Sequence, residues 1–302
     1  MEHADQESLL ACPICGRTDL QVWGPVLDHS VSKEPFTLVD CVHCGFRFTS
    51  PRPRPNAIGR YYASEEYISH SNTRKGFVAS AYQRVRAHAL RKKVDLVKRL
   101  QPKGRVLDVG CGTGEFLAEL KQNQYLVQGV EPEVKAREQA IANHALSVLP
   151  KLQLVEAREQ FQVITLWHVL EHLHDLRGSM KQLFARTAED GVLMIAVPDR
   201  GSWDSDHYGE NWAAYDVPRH LWHFRQQDVR RLLHEHGFEL MESRRMPFDA
   251  FYIAILSERY RGHSLPVALV LALLKGAWSN LVALTTGRPT SSTLYIARKA
   301  RV

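Results

Sequence analysis

No run of about twenty residues is apolar and free of charge, so the sequence predicts no ordinary membrane-crossing helix. The opening residues, Met1 to Glu7, are acidic and lack the apolar core of a secretory leader, which makes the cytoplasm the expected compartment. There is no internal repeat and no low-complexity tract. Cysteine is scarce, five among 302 residues, too few for a disulfide framework. With 44% apolar and 24% charged residues, the composition excludes a disordered or collagen-like chain. The length admits one large domain or two ordinary ones. A net charge of +6 permits an acidic partner without requiring one.

Four of the five cysteines form two knuckles, Cys12-Pro-Ile-Cys15-Gly and Cys41-Val-His-Cys44-Gly. A C-x-x-C turn aims two thiolates at one cation, and the glycine that follows relieves the turn. Two knuckles give four sulfurs and a closed tetrahedral shell, which suits structural zinc. The separation of the knuckles exceeds the usual ~15–20 residues, and an inserted hairpin would account for the excess. Four ordinary reduced cysteines and a redox pair are the other readings; no thioredoxin-like βαβ unit surrounds either pair. Residues 1–50 therefore read as a small zinc-binding module. Pro51-Arg-Pro-Arg-Pro reads as a stiff linker, and 57–100 as helical with Tyr61, Tyr62 and Tyr67. The helix Phe77 to Leu100 is basic: residues 74–105 hold eleven Lys/Arg against Asp95 alone.

From Arg105 onward strands and helices alternate. Val106–Val109, Val127–Val130, Val163–Trp167 and Val192–Val197 read as buried strands, with helices over Glu115–Gln122, Pro132–Asn143 and Leu176–Thr187. The alternation predicts an α/β, Rossmann-like, doubly wound sheet over 105–302. Residues 200–226 form a loop dense in Trp, His and Tyr. After Gln227–His236, the last strands are expected at Phe238–Arg244 and Thr293–Arg298, separated by an apolar helical insert, 247–286.

Asp108-Val-Gly110-Cys111-Gly112-Thr-Gly114 ends a strand and opens a helix, so its glycines let the backbone approach a ligand at a helix N-terminus. Glu131 lies nineteen residues past Gly112 at the end of the next strand, where a carboxylate can accept both ribose hydroxyls. Asp108-x-Gly-x-Gly-x-Gly114 resembles motif I of class I S-adenosylmethionine-dependent methyltransferases. Val130-Glu131-Pro132 resembles their acidic second strand end. Trp167-His168-Val169-Leu170-Glu171-His172-Leu173 resembles the segment after strand four in the methyltransferase 11, 12 and 23 group. The resemblance implies a seven-stranded sheet. It also implies that Gly110, Cys111, Gly112 and Gly114 approach S-adenosylmethionine, that Asp108 anchors the loop, that Glu131 and Pro132 lie at the ribose, and that His168 and Val169 flank the cofactor. Glu156 is the candidate for the adenine.

Deprotonating a methyl acceptor calls for a base that titrates near neutrality, and histidine is the obvious type. The loop Trp212 to Phe224 follows the fifth strand and should overhang the carboxyl ends of the sheet. His220, supported by His223 and Tyr215, and His172 after strand four are the candidate catalytic residues. A packed lid is the competing reading of the loop, and a helix start that of Glu171-His172. The whole layout is similar to deoxysugar C-methyltransferases, which implies a sugar, polysaccharide-precursor or lipid-linked small-molecule substrate. Two alternatives stand beside it: an RNA methyltransferase with a zinc module, favoured by the basic helix but lacking aromatic interleaving, and a scaffold protein that keeps the fold without turnover. Leu265–Leu274 is too short an apolar run to span a bilayer. For 265–284 a buried helix, a homodimer contact and a peripheral contact with the inner membrane face are all open.

Overall fold

In the computed structural model, residues 5–62 and 77–300 are described, with side chains from Ala87 onward in the second segment. The strands are β1 (Gln6–Glu7), β2 (Leu20–Leu27), β3 (Pro35–Cys41), β4 (Arg47–Thr49), β5 (Arg52–Pro53), β6 (Arg105–Val109), β7 (Leu126–Val130), β8 (Val148–Leu149), β9 (Phe161–Trp167), β10 (Thr187–Pro198), β11 (Trp222–His223), β12 (Phe238–Arg245) and β13 (Ser292–Lys299). The α-helices are α1 (Phe77–Leu100), α2 (Glu115–Gln122), α3 (Val134–His144), α4 (Leu176–Arg186), α5 (Trp203–Tyr208), α6 (Gln226–Glu235), α7 (Pro247–Tyr260) and α8 (Leu265–Thr286).

A seven-stranded sheet has the order β12-β13-β10-β9-β6-β7-β8. Neighbours from β8 to β10 pair in parallel, and β13 runs against both β10 and β12. The strands are Val/Ile/Leu-rich because both faces are covered. Leu107, Val109, Ile164, Leu166, Ile195 and Val197 pack to one side beneath α4 and α6. The alternate residues Val106, Val163, Met194 and Ala196 pack to the other, under α1 and α2. The connection β6-α2-β7 brings the glycine loop to the carboxyl end of the sheet, and the segment after β9 arrives beside it.

The N-terminal segment is less separate than its sequence suggests. β2 and β3 form the antiparallel hairpin that lengthens the spacing between knuckles. Their sheet, β11-β4-β3-β2, is completed from the far side of the chain: Trp222 pairs with Phe48 and His223 with Arg47. Cys12, Ile14, Phe46 and Phe48 share one hydrophobic core with Leu166, Leu170, Trp222 and Phe224. The proline-arginine segment is not a free linker. Arg52 pairs with Glu7 in strand and side chain (2.8 Å), donates to the His174 carbonyl and lies over the Trp222 ring. Residues 58–62 form a short 3-10 turn, and Tyr67 lies outside the described residues.

The apolar insert also differs from expectation. Lys275 does not divide it; Leu265–Thr286 is one helix, long and apolar enough by length and composition to cross a membrane.

Candidate functional site

Gly110 and Cys111 both donate their N–H to the Val130 carbonyl, at 2.7 and 3.1 Å, which folds the loop onto β7. Gly112 N–H donates to Glu131 Oε2 at 2.8 Å, and Glu133 N–H to Oε1 at 2.9 Å. Gly110, Gly112 and Gly114 all have left-handed φ, but their surroundings differ. A Cβ on Gly110 would strike Val169, and one on Gly114 would strike Leu146 and Ala140. A Cβ on Gly112 would meet nothing within 4 Å. Gly112 thus borders open space, while Gly110 and Gly114 permit close packing. The Cys111 side chain is buried and its sulfur occupies the space beside Gly129.

Asp108 is buried beneath the loop and accepts from Thr165 Oγ1 at 2.5 Å. Burial pushes its carboxyl up to about 7, against the pull of Thr165 and Lys93. Burial likewise raises Glu131. Pro132 is exposed, and its carbonyl accepts from Arg137. Glu156 is exposed in the connection from β8 to β9. The loop therefore offers an open, acid-floored recess that suits a cationic ligand with hydroxyl groups.

Next to this recess lies a carboxylate-histidine cluster. Val169, against Gly110, leads into a 3-10 turn, Leu170–His172. Glu171 is fully buried, and among the described residues neither of its carboxylate oxygens accepts a hydrogen bond. His168 Nδ1 stands 3.6 Å away and His220 Nε2 4.0 Å. Burial raises Glu171, but the surrounding histidines hold it below its ordinary value. His168 has left-handed φ, gives its N–H to the Ala196 carbonyl, and points its ring at Asp249 (3.2 Å) as well as Glu171. Burial lowers His168, yet the two carboxylates prevail and raise it to about 10.

The lid closes over this turn. Leu221 N–H donates to the Glu171 carbonyl, and His172 Nδ1 lies 3.0 Å from both Tyr62 Oη and the Arg219 carbonyl. Burial, then the neighbouring His220, pushes His172 down to about 4. His220 Nδ1 sits 2.8 Å from the Ala214 carbonyl, which can only accept. Nδ1 therefore carries a proton, and Nε2 faces Glu171 and Asp216. The His172 and His220 rings meet edge to face at 4.6 Å. One ligand atom from each of Glu171, His172 and His220 lies within 4.8 Å of the others, close enough to ligate one cation.

The other two candidates stand elsewhere. Tyr215 is buried, its hydroxyl accepting from Arg47 at 2.6 Å and its ring packed on Trp212 and His223. His223 lies in β11, 3.1 Å from Thr49 Oγ1. Burial and nearby positive charge hold its imidazole well below the ordinary value. Both side chains join the lid to the N-terminal sheet. Arg219 does the same. It is buried between Asp28 (3.0 Å) and Asp216 (2.6 Å) and donates to the Tyr61 carbonyl. Asp28 and Asp249 carried no signal in the sequence, because the Arg219 and His168 that pair with them lie far along the chain.

The four knuckle thiols converge, with Cys12 and Cys44 sulfurs 3.6 Å apart, Cys15 and Cys41 3.5 Å, and all four within 4.8 Å. Gly16 and Gly45 take the left-handed φ that the turns require. Arg225 donates to the Cys44 carbonyl and Arg200 to that of Gly45, tying the second knuckle to the lid and α6.

A family model described as a methyltransferase domain matches residues 82–243, more than half of the chain. The ubiquinone biosynthesis O-methyltransferase of Rhodopseudomonas palustris is 24% identical over 148 residues, 45% of this chain and 58% of that protein. That of Bradyrhizobium diazoefficiens is 28% identical over 108 residues, 33% and 42% respectively. The chain spans about half the length of these curated relatives. Among solved structures, magnesium protoporphyrin IX methyltransferase from Synechocystis, with bound S-adenosylhomocysteine, superposes with a TM-score of 0.53 at 13% identity, over 80% of this chain and 97% of that one. That likeness is one of fold.

Proposed function

Because the chain belongs to the methyltransferase-domain family and has the class I S-adenosylmethionine-dependent fold, we propose that it methylates a hydroxyl group of a small polar acceptor, a sugar, polysaccharide precursor or lipid-linked molecule. The observation that carries this reading is the buried Glu171 carboxylate, without a hydrogen bond among the described residues, facing Nε2 of His220. The curated relatives are named for oxygen methylation, which favours a hydroxyl acceptor. Arg219 is already held by two carboxylates and is not free to pair with an anionic substrate.

S-Adenosylmethionine, when bound, supplies the methyl group as an electrophilic sulfonium. The open side of Gly112 and the Glu131 carboxylate fit its ribose and methionine portion. His220 Nε2 takes the acceptor's hydroxyl proton. Glu171 and Asp216, 4.0 and 3.9 Å away, stabilise the resulting imidazolium. His172, held neutral, keeps positive charge from building up beside it. The lid backbone, bonded to Glu171 and His172, keeps His220 in place and excludes water.

For the thiol cluster we assign structural zinc. A tetrahedral ion with Zn–S of about 2.3 Å holds sulfurs roughly 3.8 Å apart, close to the spacings found. Four donors leave no open position for catalysis.

The test uses a panel of hydroxyl acceptors with methyl-labelled cofactor, beside calorimetry with S-adenosylhomocysteine. His220→Ala is expected to lower turnover by ~10²–10⁴ with cofactor affinity unchanged. A stable, fully active His220→Ala protein would remove His220 from the chemistry.

A further inference from the structure

From Arg259 to Val302 the sequence has no Asp or Glu, but seven Lys/Arg. Within this stretch α8 sorts its residues by size. Ala268, Ala272, Gly276, Ser279 and Ala283 recur every three or four positions and are buried. Gly276 lies against Phe251 of α7, and Ser279 donates to the buried Asp204 at 2.8 Å. The large apolar residues face the other way. Val270, Leu273, Leu274 and Leu284 are each more than 60% exposed, and Leu281 and Trp278 about half. At 1.5 Å per residue this face runs about 33 Å, far more than the scattered exposed apolar residues of an ordinary surface.

Both ends of the face are basic. Arg259 and Arg261 are exposed where α7 turns into α8, and Lys275 stands midway. At the other end Asn280 bonds to the Pro247 carbonyl, which brings the exposed Phe248 alongside; Lys92 of α1 lies over that ring at 5.7 Å. A second copy of the chain would set these cations against their own kind in either orientation. An anionic surface with an apolar interior complements both features.

We propose that α8, with Phe248 and its basic flanks, is a docking face for anionic lipid bilayers, lying in the plane of the membrane. The small-residue stripe and the Ser279–Asp204 bond keep the inner half of the helix on the protein, so only the outer half enters the headgroup boundary. The first turn of α7 carries Phe248 next to Asp249, whose carboxylate meets His168, so the docking face adjoins the site. The proposal does not depend on the methyl-transfer chemistry.

Flotation of the full chain with phosphatidylcholine vesicles, with and without phosphatidylglycerol, tests it. Binding is expected to the phosphatidylglycerol vesicles and to weaken with salt. Lys92→Glu and Lys275→Glu should each weaken it by about fivefold or more. The triple change Val270→Ser, Leu273→Ser, Leu274→Ser should weaken it on the order of a hundredfold, while S-adenosylhomocysteine affinity, measured as a folding control, stays unchanged. Equal binding to both vesicle types would overturn the electrostatic half of the proposal. No binding at low salt, or a dimer in sedimentation that the triple change converts to monomer, would overturn it altogether.

Discussion

Alanine at Gly110 and at Gly112 should damage the protein in different ways, although the two glycines are one residue apart in the same loop. At Gly110 the new methyl carbon would lie 2.3 Å from Val169 Cγ2, where two carbons normally approach no closer than about 3.5 Å. Val169 cannot yield freely, since it opens the turn that carries Glu171 and His172. Overpacking of this kind costs about 1–3 kcal/mol, and the φ of +75° adds about 1–2 kcal/mol for a residue with a Cβ. The sum, roughly 2–5 kcal/mol, should lower Tm by about 5–15 °C in a domain of this size. At Gly112 only the backbone contribution applies, because a Cβ there touches nothing. Tm should fall by no more than a few degrees, while affinity for S-adenosylhomocysteine falls at least tenfold, about 1.4 kcal/mol. Gly114→Ala, facing Leu146 and Ala140, should behave like Gly110→Ala. Scanning calorimetry and isothermal titration read the two quantities separately. A Gly112→Ala protein that is stable and binds the cofactor product with undiminished affinity would refute the placement of the cofactor.

Three further outcomes are expected. Cys41→Ser should abolish stoichiometric zinc and, through the shared core, expose amides of 220–226 as well as 5–50 in hydrogen exchange; protection lost only from 5–50 would contradict the shared core. His172, held down at about 4, remains neutral in the folded protein at pH values where the unfolded chain, near 6.5, takes up a proton. Its contribution is therefore complete above about 6.5 and is lost as pH falls toward 4, by at most about 3 kcal/mol and less for its partial exposure. Urea titrations should show His172→Gln flattening that acid limb, and an unchanged pH dependence would count against the assignment. Arg219→Met removes the cation between Asp28 and Asp216, leaving Asp28 only its Ser30, Val31 and Ser32 donors, and should cost about 3–5 kcal/mol in denaturant midpoint analysis, with part recovered by adding Asp28→Asn. Failure of that second change to recover any stability would show that packing, not charge, dominates.

Local pattern made the sheet and the loop legible in advance. Val192–Val197 is a continuous apolar run and Val106–Val109 is broken only by Asp108, because both of their faces are covered, and Gly16, Gly45 and Gly112 stand where φ must be positive. The excess spacing between the knuckles corresponds to the β2–β3 hairpin. What the sequence concealed depends on distance along the chain. A two-residue strand such as Trp222–His223 has no period of its own, so its pairing with β4 left no trace, and its histidine looked available for chemistry. Tyr215 looked available for the same reason, since its partner Arg47 belongs to another part of the chain. The clustering of His172 with His220 was within reach, because both follow strands that end at the same edge of the sheet. Asp249 was not, because it enters from the insert. Lys275 misled in the opposite direction: one cation, halfway along, masked a continuous apolar helix.

The strand that β11 lends to the N-terminal sheet has a bearing on synthesis. Thr49 and His223, hydrogen-bonded in the finished protein, are 174 residues apart. At about 5–20 residues per second, β4 leaves the ribosome roughly ten to thirty-five seconds before its neighbour exists. Throughout that interval Phe46 and Phe48 lack Trp222 and Phe224, and the backbone of β4 presents an open edge to any other nascent chain. Under the zinc assignment, cation capture by the four thiols adds to the β2–β3–β4 pairing as a stabilising event available to the segment so early. Metal supply during translation should, on that assignment, govern how much chain escapes aggregation, even where the finished protein tolerates a chelator.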